Sequence, residues 1–398
     1  MINHVTFPGL GLSMTINRVA FTVFGVPVYW YGICIALGLV LGLAFAFSKA
    51  RSYGIDSDRM IDVVMLATLC AIVGARAYYV VFAPFEYESL WDMINLRDGG
   101  LAIYGGVLAA FVSALFLCRW RKVPTLPMFD LAAMGFLIGQ GLGRWGNFFN
   151  QEAFGTNTTL PWGMYSEGTQ NYLASVQATL AAQGVTVDPS LPVHPTFLYE
   201  SLWCLLGFVV LFLYQKRRKF HGEIFLLYII WYGAERFIVE GLRTDSLETV
   251  GGIRVSQLLA LVSVIGAAGV WLWQRKVHRG QPLMVTYPVV DKRLDGPAVL
   301  TWNVNETPSV QELKERIDRL VEQEKAAESK KEAAETEAAP AAEEKTQPKA
   351  ATVRKPRADR ARVLERRAAR QTVNVHAEAA RALRSLGNER PSRRRIRH

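Results

Sequence analysis

Apolar residues are not spread evenly through this chain but gathered into runs. Seven runs approach the roughly 20 residues a helix needs to cross bilayer hydrocarbon: about Tyr29 to Phe47, Met60 to Val81, Leu101 to Leu117, Leu126 to Gly141, Thr196 to Tyr214, Glu223 to Ile238 and Val255 to Trp273. The pattern predicts an all-α integral membrane protein with seven transmembrane helices. Between the fourth and fifth runs the chain is rich in Gly, Asn, Thr and Pro and reads as a small extracytoplasmic head, about 145–195. One helix is expected there near Tyr172 to Ala182, because Tyr172, Val176 and Leu180 fall four apart. Beyond Gly280 the character changes. Val310, Leu313, Ile317 and Leu320 mark one short amphipathic helix, and low-complexity Ala, Glu, Lys and Pro then lead to an Arg-rich end, Arg354 to His398. Too few apolar residues remain to offset chain ordering, so this tail is expected to be mostly disordered. The expected division is a membrane domain over 1–279 and a cytoplasmic tail over 280–398.

Basic residues orient the helices, since short cytoplasmic loops are enriched in Lys and Arg. Lys49, Arg51 and Arg59 follow the first run; Arg119, Arg121 and Lys122 the third; Lys216, Arg217, Arg218 and Lys219 the fifth; Arg275, Lys276 and Arg279 the seventh. The opposite side holds Arg97, Arg144, Arg243 and Arg254, and the connection from Trp145 to Pro195 has neither Lys nor Arg. The N-terminus is therefore expected outside and the C-terminus in the cytoplasm. A lone Arg18 before an apolar run that continues to Phe47 does not fit a cleaved signal. The 51% hydrophobic composition and net charge of +10 are strongly segregated. A basic tail beside a membrane is more simply solvated, or in contact with anionic lipid, than bound to nucleic acid, which is not expected. The four cysteines, in four different apolar runs, read as small packing residues. Gly38 and Gly42 in the first run, and Gly135, Gly139 and Gly143 in the fourth, give each helix one small face for close packing.

Candidate chemistry gathers at the outer ends. The stretch Gly143 to Gly155, GRWGNFFNQEAFG, puts Arg144, Asn147, Asn150 and Glu152 at the end of an apolar run. Ionisable groups there are costly unless they face water, a partner or a substrate. In YGAERFIVEGLRTD, Tyr232, Arg236, Glu240 and Arg243 stand at helical intervals of four, four and three and share a face, with Glu235 expected to point elsewhere and be structural. Tyr31 in YWYG, Arg76 in GAR, Tyr104 in GGLAIYGG, and His194, Thr196, Tyr199 and Glu200 in HPTFLYE are placed on the same outer half and expected to converge on these arginines. Guanidinium forks match phosphate oxygens and stay charged, so the set suits a phosphate-bearing lipid head. No nucleotide loop, metal-ligand spacing or Ser, His and Asp nucleophile set stands out, so neither cofactor nor metal is expected.

These motifs carry a resemblance. GRWGNFFNQEAFG is similar to the signature of the prolipoprotein diacylglyceryl transferases, and YWYG, GAR, GGLAIYGG, HPTFLYE and YGAERFIVEGLR follow that family's order from about Val19 to Arg275. The resemblance implies a seven-helix bacterial inner-membrane enzyme. It would transfer the diacylglyceryl group of phosphatidylglycerol to the lipobox cysteine thiol of prolipoprotein signal peptides and release glycerol phosphate, the first step of lipoprotein maturation. It places Arg144 on the lipid phosphate, Tyr31, Asn147, Glu152 and Gly155 around the site, Tyr232, Arg236 and Glu240 essential beside it, and Arg243 and His194 in the same pattern. One departure concerns the base. Many family members have histidine where this chain has Tyr104, and a phenol of pKa about 10 is a poor base at neutral pH. The arginine field could instead acidify the thiol, leaving Tyr104 a positioning role and the base unassigned. The rival class is a transporter or flippase of an anionic lipid, but the paired repeats and broken midplane helices common in transporters are not evident.

Overall fold

A computed structural model describes residues 2–337 apart from 84, 86, 88, 97–98, 183, 244–248, 251–252, 290, 292 and 295–297. Arg97 and the Arg-rich end lie outside the described residues. The chain opens with β1 (Ile2–Phe7), β2 (Leu12–Asn17), β3 (Val19–Val23) and β4 (Val26–Tyr29), then α1 (Trp30–Lys49), α2 (Ser57–Val81), α3 (Leu90–Ile94), α4 (Ile103–Trp120) and α5 (Thr125–Asn150). β5 (Tyr165–Ser166) and α6 (Glu167–Ala182) precede α7 (Thr196–Tyr214), α8 (Glu223–Leu242), β6 (Thr249–Val250), β7 (Ile253–Arg254) and α9 (Val255–Val277). β8 (Met284–Val289), β9 (Ala298–Asn303) and α10 (Val310–Glu337) follow. The chain divides into two units, 1–328 and 329–398. The packing described here belongs to the first; the described part of the second is the end of α10.

The protein is mostly helical and integral to the membrane. Among the described residues six helices are long and apolar enough to cross it, and they differ in burial from 11% for α9 to 56% for α5, which makes α5 the central helix. α8, 20 residues long, is not among these six because it carries Glu223, Glu235, Arg236 and Glu240. Close packing follows the small faces. A β-carbon on Gly38 would lie 2.9 Å from the Gly139 carbonyl oxygen, and one on Gly42 2.8 Å from that of Gly135. α1 and α5 therefore touch backbone to backbone, in opposite directions. α2 and α4 do the same through Gly74, Ala109 and Gly105, the last packed on Tyr78. Cys118 and Cys204 are buried as small packing residues, Cys34 is half-buried, and Cys70 is exposed on α2.

Two features correct a purely helical expectation. The first is a three-stranded antiparallel sheet in the order β2-β1-β5. Val5, Phe7 and Ile16 from this sheet share a core with Leu173 and Leu180 of α6 and with Phe148, Phe154 and Phe197. The expected head helix is present but starts five residues earlier, at Glu167. The second is the β8–β9 hairpin in a region read as an unstructured lead to one short helix. Val285 and Trp302 are buried against Leu313 of α10, with Ile317 beside them. Gly54, at φ +71°, ends the turn after α1, and a β-carbon there would lie 2.2 Å from the Thr286 carbonyl oxygen. Next to it the Tyr287 hydroxyl donates to Asp56 Oδ2 at 3.1 Å, the residue that caps the start of α2.

α8 is fixed at its start by α5. Gly222, in the left-handed region at φ 92°, supplies no side-chain cap. Asp130, wholly buried on α5, accepts from Gly222 N–H (2.8 Å) and Phe225 N–H (2.9 Å) and satisfies two of the donors a helix start leaves open.

Candidate functional site

α5 continues through GRWGNFFN, so Arg144 and Asn147 are helical residues one turn apart. Gln151 closes the helix in the left-handed region and Ala153 follows it there, each at φ 56°. That conformation is unfavourable for a residue with a β-carbon, and it is held by the Thr196 hydroxyl, which donates to the Ala153 carbonyl. α7 is bolted to α5 beside Arg144. Trp145 Nε1 donates to Ser201 Oγ at 3.2 Å, and Ser201 Oγ donates to the Gly141 carbonyl at 2.7 Å.

Glu200, the neighbour of Ser201, is wholly buried. Its Oε2 pairs with the Arg144 guanidinium and lies 3.7 Å from Nη1 of Arg236 on α8. Arg236 pairs in turn with Glu240, four residues further on. One carboxylate oxygen from α7 is thus the meeting point of guanidiniums from α5 and α8. Tyr232, one turn before Arg236, stacks on Tyr228 with centroids 5.8 Å apart and planes 7° apart, and Gln140 of α5 donates to the Tyr228 hydroxyl at 3.0 Å. The Tyr232 hydroxyl lies within electrostatic reach of both Arg236 and Arg144. Glu235, expected to point elsewhere and be structural, is 2% exposed, and neither of its oxygens has a hydrogen-bond partner among the described residues.

Three backbone segments close the end of the cluster. Gly155 N–H donates to the His194 carbonyl at 2.9 Å, Thr156 N–H donates to the Leu242 carbonyl at 2.8 Å, and Gly155 bridges Arg243. A β-carbon on Gly155 would stand 2.8 Å from His194 Cβ and 2.9 Å from the Leu242 carbonyl oxygen, so only glycine fits. The charge of Arg243 is felt at Arg236. His194 Nδ1 lies 3.2 Å from the Tyr199 hydroxyl, which accepts from Trp162 Nε1 at 2.8 Å. The direction of the Tyr199–His194 hydrogen bond follows the tautomer of the imidazole. Burial holds the His194 imidazole below the usual histidine range, so it is neutral at pH 7.

A second polar group lies one turn from Arg144. Glu152 Oε1 accepts from Asn147 at 3.0 Å and from Asn150 at 3.2 Å, and Arg18 Nε reaches Asn150 at 3.5 Å. Tyr31 packs its ring on Gly146, where a β-carbon would approach to 2.7 Å.

Two residues expected to converge on the arginines do otherwise. Arg76 spends its donors on the carbonyls of Met93, Gly99, Gly100 and Asp92 at 2.6–2.9 Å. It organises the connection after α2, with four of its five N–H donors used there. Tyr104 is 53% exposed on the first turn of α4, a helix packed chiefly on α2. Among the described residues no side-chain contact joins Tyr104 to the cluster. Glu200, expected among the converging groups, is the one that reaches both arginines.

Fold and site together define a class: a polytopic membrane protein whose central helix α5 meets α7 and α8 in a buried arginine–carboxylate cluster. The chain belongs to the prolipoprotein diacylglyceryl transferase family, whose model matches residues 18–273. Its relatives include proteins named phosphatidylglycerol–prolipoprotein diacylglyceryl transferase from Finegoldia magna, 43% identical over 258 residues (64% of this chain, 94% of that one). The protein of that name from Pediococcus pentosaceus is 42% identical over 268 residues (66% and 92%), and the one from Clostridioides difficile 38% over 251 (63% and 92%).

Proposed function

We propose that this chain transfers the diacylglyceryl group of phosphatidylglycerol to the lipobox cysteine of prolipoprotein signal peptides, releasing glycerol phosphate. The observation that carries the reading is the double engagement of one buried Glu200 oxygen by Arg144 and Arg236. A guanidinium pair arranged about one oxygen accepts a phosphate oxygen in the same geometry. Arg144 and Arg236 take the phosphate, Arg243 adds positive field, and Glu240 keeps Arg236 aimed. Tyr31, Asn147, Glu152, Gly155 and His194 shape the walls of the site.

The cysteine sulfur attacks the glycerol carbon bearing the phosphate, a C–S bond forms, and the C–O bond to the phosphate breaks. The electron pair leaves on a phosphate monoester, and the proton released by the thiol can end on that group. Charge therefore grows where the arginines are already placed, and one such preorganised donor supplies about 3–4 kcal/mol in comparable oxyanion sites. The same field lowers the thiol pKa from about 8.5, so no role as base falls to Tyr104.

The membrane domain, 1–279, has α8 as its seventh spanning helix, the price of its charges being met by the ion pairs above. The Lys and Arg bias of the loops supports an N-terminus outside, a C-terminus in the cytoplasm of a bacterial inner membrane, and a site toward the outer face. The β2-β1-β5 sheet with α6 is then the extracytoplasmic head, and 280–398 the cytoplasmic tail. The reaction is tested by incubating purified protein with phosphatidylglycerol and a lipobox peptide and weighing the peptide by mass spectrometry. A diacylglyceryl adduct on the cysteine is expected; lipid movement between leaflets with no adduct would instead support a flippase.

A further inference from the structure

The β8–β9 hairpin lies beyond the residues that the family model matches, yet it packs on the membrane domain. Its two faces differ, because successive side chains of a strand point to opposite sides. Val285 and Trp302 are buried against Leu313 of α10, whereas Thr286, Pro288 and Val299 line a cleft of about 400 Å³. Across that cleft stand Arg119, Lys122 and Val123, from the end of α4 and its turn into α5.

Two cations in the cleft stand without partners. Arg121, between them in sequence, pairs with Asp62 of α2. Arg119 and Lys122 have neither an ion-pair nor a side-chain hydrogen-bond partner among the described residues, and no carboxylate lines the cleft with them. Positive charge between apolar walls suits a ligand that is anionic at one point and apolar beside it.

The lipid-facing side of α4 leads to the same place. Leu108, Val112 and Phe116 are exposed at intervals of four, and Arg119 follows about one turn later on that side of the helix. α4 is one of the helices apolar enough to cross the membrane, so acyl chains cover this stripe and Arg119 stands where it ends, at headgroup depth. Basic pockets at the ends of spanning helices take phosphate-bearing lipid heads.

We propose that this cleft is a binding site for an anionic phospholipid. Arg119 and Lys122 hold its phosphate, Val123, Pro288 and Val299 cover its glycerol, and an acyl chain follows Phe116, Val112 and Leu108. A free phosphate would satisfy the cations but leave the apolar stripe unused. The site is separate from the arginine cluster: about 28 Å of α5 lies between its start at Thr125 and Arg144. On the loop-charge reading, the lipid belongs to the cytoplasmic leaflet. A segment outside the family match thus supplies one wall of a lipid site.

The test is native mass spectrometry of the full-length protein in detergent with phosphatidylserine, an anionic lipid that is not the proposed donor, so binding is read without turnover. Wild type should retain one phosphatidylserine that Arg119→Gln/Lys122→Gln binds roughly tenfold or more weakly, two cations at the membrane surface having been removed. Val299→Glu, which brings a carboxylate to the opposite wall, should lose the same lipid. Lys216→Gln/Arg217→Gln removes two exposed cations from the turn after α7 and should keep it. Phosphatidylcholine should not take its place, and excess inorganic phosphate at constant ionic strength should leave it bound. Equal retention by wild type and Arg119→Gln/Lys122→Gln, an equal loss in Lys216→Gln/Arg217→Gln, or an unaffected Val299→Glu overturns the proposal. Phosphatidylcholine bound as tightly, or displacement by inorganic phosphate, overturns it too, the latter in favour of a free anion. Should Arg119→Gln/Lys122→Gln fail to fold, Val299→Glu decides.

Discussion

Glu240 and Glu200 divide Arg236 between them, and each can be removed in a way that separates aim from fold. Glu240→Gln keeps the size of the side chain and part of its hydrogen bonding but releases Arg236 from its pair. Turnover is expected to fall, with expression and the thermal midpoint unchanged; full turnover would show that the pair does nothing for the reaction. Gly155→Ala tests the opposite case, a residue whose value is its lack of a side chain. The added methyl meets the Leu242 carbonyl oxygen at 2.9 Å, and a carbonyl cannot step aside without moving the end of α8. Overpacking of this kind costs about 1–3 kcal/mol, so both the thermal midpoint and turnover should drop. The arginines and Glu240 were legible in the sequence because charge in an apolar run is conspicuous and their four-residue spacing gives a face. Glu235 reads as structural because it lies off the i,i+4 ladder of Tyr232, Arg236 and Glu240. Arg76 was misplaced for a different reason: position along a helix does not reveal that four backbone carbonyls wait beyond its end.

The helices are set by contacts that small residues and one buried acid provide. Asp130 is the start of α8 in all but sequence, since it satisfies Gly222 and Phe225 N–H from another helix. Asp130→Ala leaves both donors buried without an acceptor, each at about 1–3 kcal/mol. A thermal-shift measurement in detergent should show a clear loss of stability, with turnover falling alongside because Arg236 and Glu240 ride on that helix. An unchanged midpoint would mean that α8 is held elsewhere. Gly42→Leu would drive a branched side chain into the Gly135 backbone, 2.8 Å from where its β-carbon sits, and should separate α1 from α5 with loss of folded protein. The small faces of both helices were readable from four-residue spacing, but spacing identifies a face and not the neighbour it meets. The β8–β9 hairpin escaped notice for want of length. Its alternating Val, Tyr, Leu and Trp positions are a strand signal, overshadowed by the charged segment after it.

At the scale of the molecule, the polar cluster sits where α5, the most buried of the six apolar spanning helices, meets α7 and α8, and the hairpin grips the turn between α1 and α2. Truncation separates the parts. Ending the chain after Glu337 should leave the thermal midpoint where it is, because composition gives the remainder too little apolar surface to pack. Ending it after Gly280 also removes Thr286 from Gly54 and Tyr287 from Asp56, and the midpoint should fall; equal midpoints would show that the hairpin contributes nothing to the membrane domain. The most direct measurement concerns the cluster itself: the single-turnover rate of diacylglyceryl adduct formation on a lipobox peptide, for wild type and Arg144→Ala at saturating phosphatidylglycerol. Loss of one donor worth about 3 kcal/mol predicts a rate lower by roughly a hundredfold, with folded protein recovered in both cases. A folded Arg144→Ala protein that forms the adduct at the wild-type rate would contradict the assignment of this cluster as the place where the phosphate is held.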